Sequence, residues 1–242
     1  MKRLLLGLCL SLTMFLSSCE SLKQIASVLG PSEFEMAAGL REALTQGLFK
    51  GFDAFANPNE GNPLLRFVLP GDAAKIEKTL RDVGLTSVVN KVTSKFTDAM
   101  SSAVVAAKPI FLNSVKKMSL RDVAGMLITD NTHAATDYFK TTMSPELMVA
   151  FRPIVDSTAN LNGANKDWTS LVSVYNKIPF INKPLESSLT DFIAARAIDG
   201  LFLKVAEEEN DIRTKYEFRK TDLMKKVFGY AEEQLKKKKA SQ

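Results

Sequence analysis

Two stripes run side by side through the segment that follows Ser32. Leu40, Leu44, Leu48 and Phe52 recur every four residues, and Gly39, Ala43, Gly47 and Gly51 each stand one position earlier. A four-residue apolar period is close to one helical turn, so the segment predicts an α-helix with one buried face. Each glycine costs such a helix about 1 kcal/mol against alanine. The small stripe therefore needs a second helix that comes close enough for a Cβ to obstruct it. The same spacing drives dimers inside membranes, but Arg41, Glu42 and Lys50 interrupt this segment, which favours close packing within one domain. Ser32 to Glu35 reads S-x-x-E, a capping box, and the helix should run to about Phe55.

The same 3–4 spacing continues down the chain. Asp72 can cap a helix carrying Ile76, Leu80 and Val83 that Gly84 ends as a left-handed cap. A further helix from about Thr86 carries Val89, Val92, Phe96 and Met100, and Pro109 should kink or divide it. Ser119 and Asp122 bracket another start. His133 to Thr142 reads as helix, and Ser144-Pro145 as the cap and first residue of the next, with Pro153 bending it. A polar loop at 160–165, a helix from Asp167 to Tyr175 and a connector framed by Pro179 and Pro184 lead to two long helices, about Ser187–Thr214 and Phe218–Leu235. Only Leu64–Leu69, between Pro63 and Pro70, reads as extended. The fold class is all-α: a single multi-helix, bundle-like domain with long C-terminal helices.

The N-terminus carries an address. Lys2 and Arg3 precede 13 mostly apolar residues, Leu4–Leu16. A membrane-crossing helix needs about 18 or more, so the run is a signal-peptide core. Leu16-Ser17-Ser18-Cys19 resembles the lipobox of bacterial lipoproteins, in which the cysteine is acylated after cleavage. The alternative is plain secretion cut near Ser18, which leaves Cys19 as a lone thiol in an oxidising compartment. The acylated reading divides the chain into a signal peptide (1–18), a tether (19–31), a helical domain (32–229) and a basic C-terminal extension (230–242). Glu20, where the enterobacterial sorting pattern uses aspartate for inner-membrane retention, leans toward the periplasmic face of the outer membrane.

Removing residues 1–18 with Lys2 and Arg3 takes the net charge from +5 to +3, and Lys236–Lys239 supply four positives, so the body is close to neutral. That balance offers no basic face for nucleic acid. Catalytic parts are scarce: His133 is the one histidine, and Cys9 and Cys19 are the only cysteines. A serine triad or zinc site lacks its components, and neither 57–62 nor 160–167 has the ligand spacing of a calcium loop. No metal or cofactor is implied. The 14 Phe and 7 Met beyond residue 18 form a core or line a cavity for an acyl chain.

One anomaly stands out in the first of the two long closing helices. Placed at 100° steps, Ala194, Ala197, Ile198, Leu201, Phe202 and Val205 form one apolar sector, and Ile212 continues it. Glu207 falls outside that sector, but Glu208 and Glu209 fall inside. Either the helix leaves the core near Glu207 and both side chains are wet, or Glu208, Glu209 and Arg213 form a polar cluster in a groove that recognises a partner or ligand.

The segments Ala134-Ala135-Thr136-Asp137-Tyr138-Phe139, Ala197-Ile198-Asp199-Gly200-Leu201-Phe202, Glu207-Glu208-Glu209 with Ile212-Arg213, and Thr221 through Gly229 give the chain, from about Ser32 to Gly229, a resemblance. It resembles the bacterial domain-of-unknown-function family 4197. The resemblance implies an exported, often lipidated, mostly helical protein and carries no assigned reaction. Lys220 stands where threonine is expected. The expectation is a non-enzymatic envelope lipoprotein, joined to a membrane through acylated Cys19, that binds an unknown envelope protein or supports an assembly. The other two classes are a carrier of a hydrophobic small molecule or acyl chain, and a hydrolase built on two facing carboxylates.

Overall fold

The computed structural model describes residues 30–57, 67–68, 73–119, 123–177 and 188–241. Cys19, most of Leu64–Leu69, Asp72, Asp122 and the connector framed by Pro179 and Pro184 lie outside them. Phe67 and Val68 are described and belong to no strand. Among the described residues nine α-helices follow in order: α1 (Glu33–Ala56), α2 (Ala73–Asp82), α3 (Thr86–Ala106), α4 (Lys108–Lys117), α5 (Val123–Leu127), α6 (Ala134–Leu161), α7 (Ala164–Tyr175), α8 (Thr190–Thr214) and α9 (Asp222–Ala240). The architecture is all-α among the described residues, and none of these helices is long and apolar enough to cross a membrane.

Helix α1 starts where its capping box places it. The Glu35 amide donates to Ser32 Oγ at 3.2 Å, and the Ser32 amide donates to Glu35 Oε2 at 2.9 Å. Its apolar stripe is fully sunk: Leu40, Leu44 and Leu48 have no exposed surface. Helix α8 packs along α1, α6 packs on α8, and α3 packs on α6. The small stripe is what lets α1 and α8 touch. A Cβ on Gly47 would lie 2.9 Å from Val205 Cα and 3.2 Å from its carbonyl oxygen, both backbone atoms that cannot swing aside. At Gly51 the obstacle is Leu201 Cδ1, the end of a flexible side chain.

Gly47→Ala should therefore destabilise the fold by up to about 2 kcal/mol, the overpacking cost of about 1–3 kcal/mol less the helix-propensity gain of about 1 kcal/mol. Gly51→Ala should cost less. Urea unfolding midpoints measure both, and a stabilised Gly47→Ala would contradict this packing.

Several element boundaries differ from the sequence expectation. Gly84 does adopt φ 84° after α2, and the α3–α4 break falls at Ala107 with Pro109 in the first turn of α4. Ser144-Pro145, in contrast, opens no new helix: α6 runs unbroken through Pro145 and Pro153. Each proline removes one donor, so the carbonyls four residues back, on Thr141 and Val149, lose their helical partner. Both residues are exposed, which leaves those carbonyls on the solvent side of the helix, where water can take the place of the lost donor. Ser144 caps nothing; its hydroxyl is buried without a partner among the described residues. The loop expected at 160–165 shrinks to Asn162-Gly163, with Asn162 Nδ2 donating to the Lys95 carbonyl at 2.6 Å. Helix α8 begins at Thr190 rather than Ser187. Helix α9 begins at Asp222 rather than Phe218, because Phe218 closes a 3₁₀ turn and Thr221 Oγ1 accepts from the Met224 amide at 3.1 Å. Through residue 229 the same helix continues to Ala240, so the basic extension is its last turns.

The aromatic side chains interlock. Phe96 stacks on Phe67 at 4.8 Å and meets Trp168 edge-on at 6.3 Å. Phe111 meets Phe52 and Phe151 edge-on at 6.1 and 6.0 Å. Their quadrupoles favour these offsets over sandwiches, and the rings form a packed seam.

Candidate functional site

Helix α8 does not leave the core near Glu207. Glu208 is 5% exposed and Glu209 is fully buried, Ile212 beyond them is buried too, and Glu207 alone of the acidic run is exposed. The reading in which both carboxylates are wet is corrected: the apolar sector of α8 continues past them, so the fold must supply their partners.

Glu209 finds them on another helix. His133, which precedes α6, makes no side-chain cap bond. In its place Glu209 Oε1 accepts from the Ala135 amide at 3.0 Å, and Oε2 accepts from the Thr136 amide at 2.7 Å and the Thr136 hydroxyl at 2.6 Å. A carboxylate carried by α8 thus caps the N-terminus of α6, where orphan amides and the helix dipole favour negative charge. Arg213 completes the set. Its Nε and Nη2 donate to Glu209 Oε1 at 2.9 and 2.7 Å, while Nη1 and Nη2 reach the carbonyls of Leu127 and Met126 at 3.1 and 2.8 Å, at the end of α5. Its side chain is 8% exposed and lies 5.6 Å from the Phe228 ring of α9.

Glu208 points elsewhere. Its Oε1 accepts from Gln46 Nε2 of α1 at 2.7 Å, and that same nitrogen donates to the Phe218 carbonyl at 2.9 Å. The two neighbouring carboxylates therefore engage separate partners, and the structure gathers Glu209 with Arg213 while Glu208 stands apart from that pair.

Sequence reasoning missed Arg219, which is 3% exposed. Its Nε donates to the Ile212 carbonyl at 2.9 Å, and its Nη2 donates to the Arg213 carbonyl and Glu232 Oε2 at 3.0 Å each. These carbonyls belong to the last turns of α8, so Arg219 caps the C-terminus of that helix. It lies inside the helix expected from Phe218 but belongs to none of its periodic apolar positions. The available signal was a cation just past a helix end. Glu232 also accepts from Lys236 at 2.8 Å, and Lys236 first, then Arg219, hold its carboxyl below the ordinary 4.5.

Three charged side chains thus join helix ends rather than an open cleft, and the bonds they make are internal to the fold. His133 is half exposed, with Nδ1 2.9 Å from Asp137 Oδ2. A surface groove of about 490 Å³, lined by Arg41, Gln46, Phe49, Val115, Thr221 and Met224 among others, lies beside Gln46.

A family described as "Protein of unknown function (DUF4197)" matches residues 30–229, a span that takes in α1 to α8 and the first turns of α9. Comparisons with curated proteins and with solved structures return no match.

Proposed function

We propose that this chain, which belongs to the DUF4197 family, is a non-enzymatic lipoprotein of the bacterial envelope, anchored through acylated Cys19, whose helical domain binds an envelope partner or supports an assembly. The observation that carries the non-enzymatic reading is the engagement of Glu209, Arg213 and Arg219 with helix ends. A catalytic acid or base needs a proton site free to face a substrate, and these groups are committed to the fold. The anchored reading is supported by the short apolar run and by Leu16-Ser17-Ser18-Cys19. Multiple acyl chains hold a protein on a membrane surface where one chain is marginal. The periplasmic face of the outer membrane is the proposed location.

Metabolic labelling with a fatty acid tests the anchor. The parent chain should take up label, and Cys19→Ser should take up none; label retained by Cys19→Ser would remove this reading. Recovery of the acylated protein from its own membrane, with whatever remains bound, then identifies the partner.

A further inference from the structure

Helices α1 and α9 run antiparallel. Glu35 pairs with Lys226 at 2.6 Å, Gly39 faces Val227, and Glu42 accepts from the Thr221 hydroxyl, so ascending α1 means descending α9. The point where the chain enters the domain is fixed against the same helix. Pro31 is buried, and a Cβ on Gly30, whose φ is 71°, would lie 2.6 Å from the Tyr230 ring. From Tyr230, α9 continues ten residues to Ala240, about 15 Å at 1.5 Å per residue. Its lysine-bearing turns therefore stand at the end of the domain from which the chain leads back toward Cys19.

Two properties of that end are unusual. Lys236–Lys239 are all exposed, and while Lys236 pairs with Glu232 and Lys239 with Asp130, both pairs are solvated. Lys237 and Lys238 have no carboxylate at salt-bridge distance among the described residues. Phe34, in the first turn of α1, is 82% exposed, the most exposed aromatic ring among the large exposed hydrophobics. Exposed cations and an uncovered ring at one end of a domain are the composition of a surface that settles into lipid headgroups.

We infer that this end of the domain, which presents Lys237, Lys238 and Phe34, docks on an anionic phospholipid surface. The inference rests on the anchored reading of Cys19 for the presence of a bilayer nearby. Eleven residue-to-residue steps lead from Cys19 to Gly30. At 3.3–3.6 Å each they span at most about 40 Å, so anchor and lysines reach the same leaflet. Glu232 and Asp130 offset part of the lysine charge, which is why the ring is needed as well. Docking here would hold the domain in one orientation and turn the α1–α4 groove at Phe49 away from the tethered end.

The test uses the chain from residue 19 onward carrying Cys19→Ser, so that no acyl chain contributes. It is mixed with vesicles of phosphatidylcholine alone or with about 30% phosphatidylglycerol, and sedimented. The parent should bind the anionic vesicles preferentially, and the preference should collapse at high salt. Each lysine near an anionic surface is worth roughly a fivefold change, so Lys237→Gln with Lys238→Gln should weaken binding about 20-fold, and Phe34→Ser should weaken it independently. All three side chains are exposed, and unchanged melting confirms that the variants fold. Equal binding to both vesicle types, or undiminished binding by the double lysine variant, overturns the inference. Because acylation plays no part, such a result leaves the labelling of Cys19 standing, just as absent label leaves vesicle binding standing.

Discussion

Glu209→Leu should lower the free energy of unfolding by about 3–5 kcal/mol, a large part of the 5–15 kcal/mol that holds a typical domain together. Leucine fills the volume, but the substitution strips Arg213 of its counter-ion in a site where it is 8% exposed and leaves the amides of Ala135 and Thr136 without an acceptor. An uncompensated buried cation is the larger part of that cost. Adding Arg213→Leu should recover some of it and not all, because the Met126 and Leu127 carbonyls then lose their donors. Glu208→Gln should cost much less, since its partner is the neutral Gln46. Glu207→Gln should be near zero, since the Lys204 pair it breaks is half exposed. Urea unfolding of the four variants decides it. Equal, small effects at all three glutamates would dismantle the capping account.

The second large effect is expected at Arg219. Arg219→Met keeps an apolar stem but leaves the Ile212 and Arg213 carbonyls without a charged donor, at about 1–3 kcal/mol for each buried acceptor. A total loss of about 2–6 kcal/mol follows, and lysine should rescue it only in part, because one ammonium cannot reproduce the guanidinium fork. A pH series separates this role from simple packing. The Glu232 carboxyl titrates lower in the folded chain than in the unfolded one. It therefore contributes stability above the ordinary value of 4.5 and gives it up as pH falls through the folded value. Removing Arg219 removes one of its two cations, so the variant's melting temperature should fall less steeply on acidification than the parent's. An identical acid slope would exclude Arg219 from that network.

How far the sequence could be read depends on whether a signal was local. The α1 cap, the Gly84 turn and the division at Ala107 were legible because the residues that decide them are neighbours along the chain. The α1–α8 contact was half legible: the glycine stripe demanded a close partner without saying which. Pro145 misled because its cost depends on exposure; on the solvent side of α6 water replaces the lost bond, and nothing nearby in sequence reveals that side. The buried charges show the same limit. The angular position of Glu208 and Glu209 exposed a conflict with their charge, and Glu209–Arg213 was a four-residue neighbour, but the amides of α6 lie 73 and 74 positions away. Arg219 was invisible because it belongs to no periodic face.

The antiparallel pairing of α1 with the end of the chain also governs the order in which the molecule can assemble. Gln46 meets Glu208 across 162 positions, Thr221 meets Glu42 across 179, and Lys226 meets Glu35 across 191. Helix α1, the first of the described helices, is thus completed by the last two of them. Helices α3, α4 and α5 also pack on it, but its glycine stripe stays uncovered until α8 and α9 arrive. Contacts of such long range make folding slow relative to local helix formation and hold back the last part of the α1 surface until α8 and α9 are made. A protein arranged in this way completes the packing of that helix late, and its small-residue face depends on whatever shields it in the meantime.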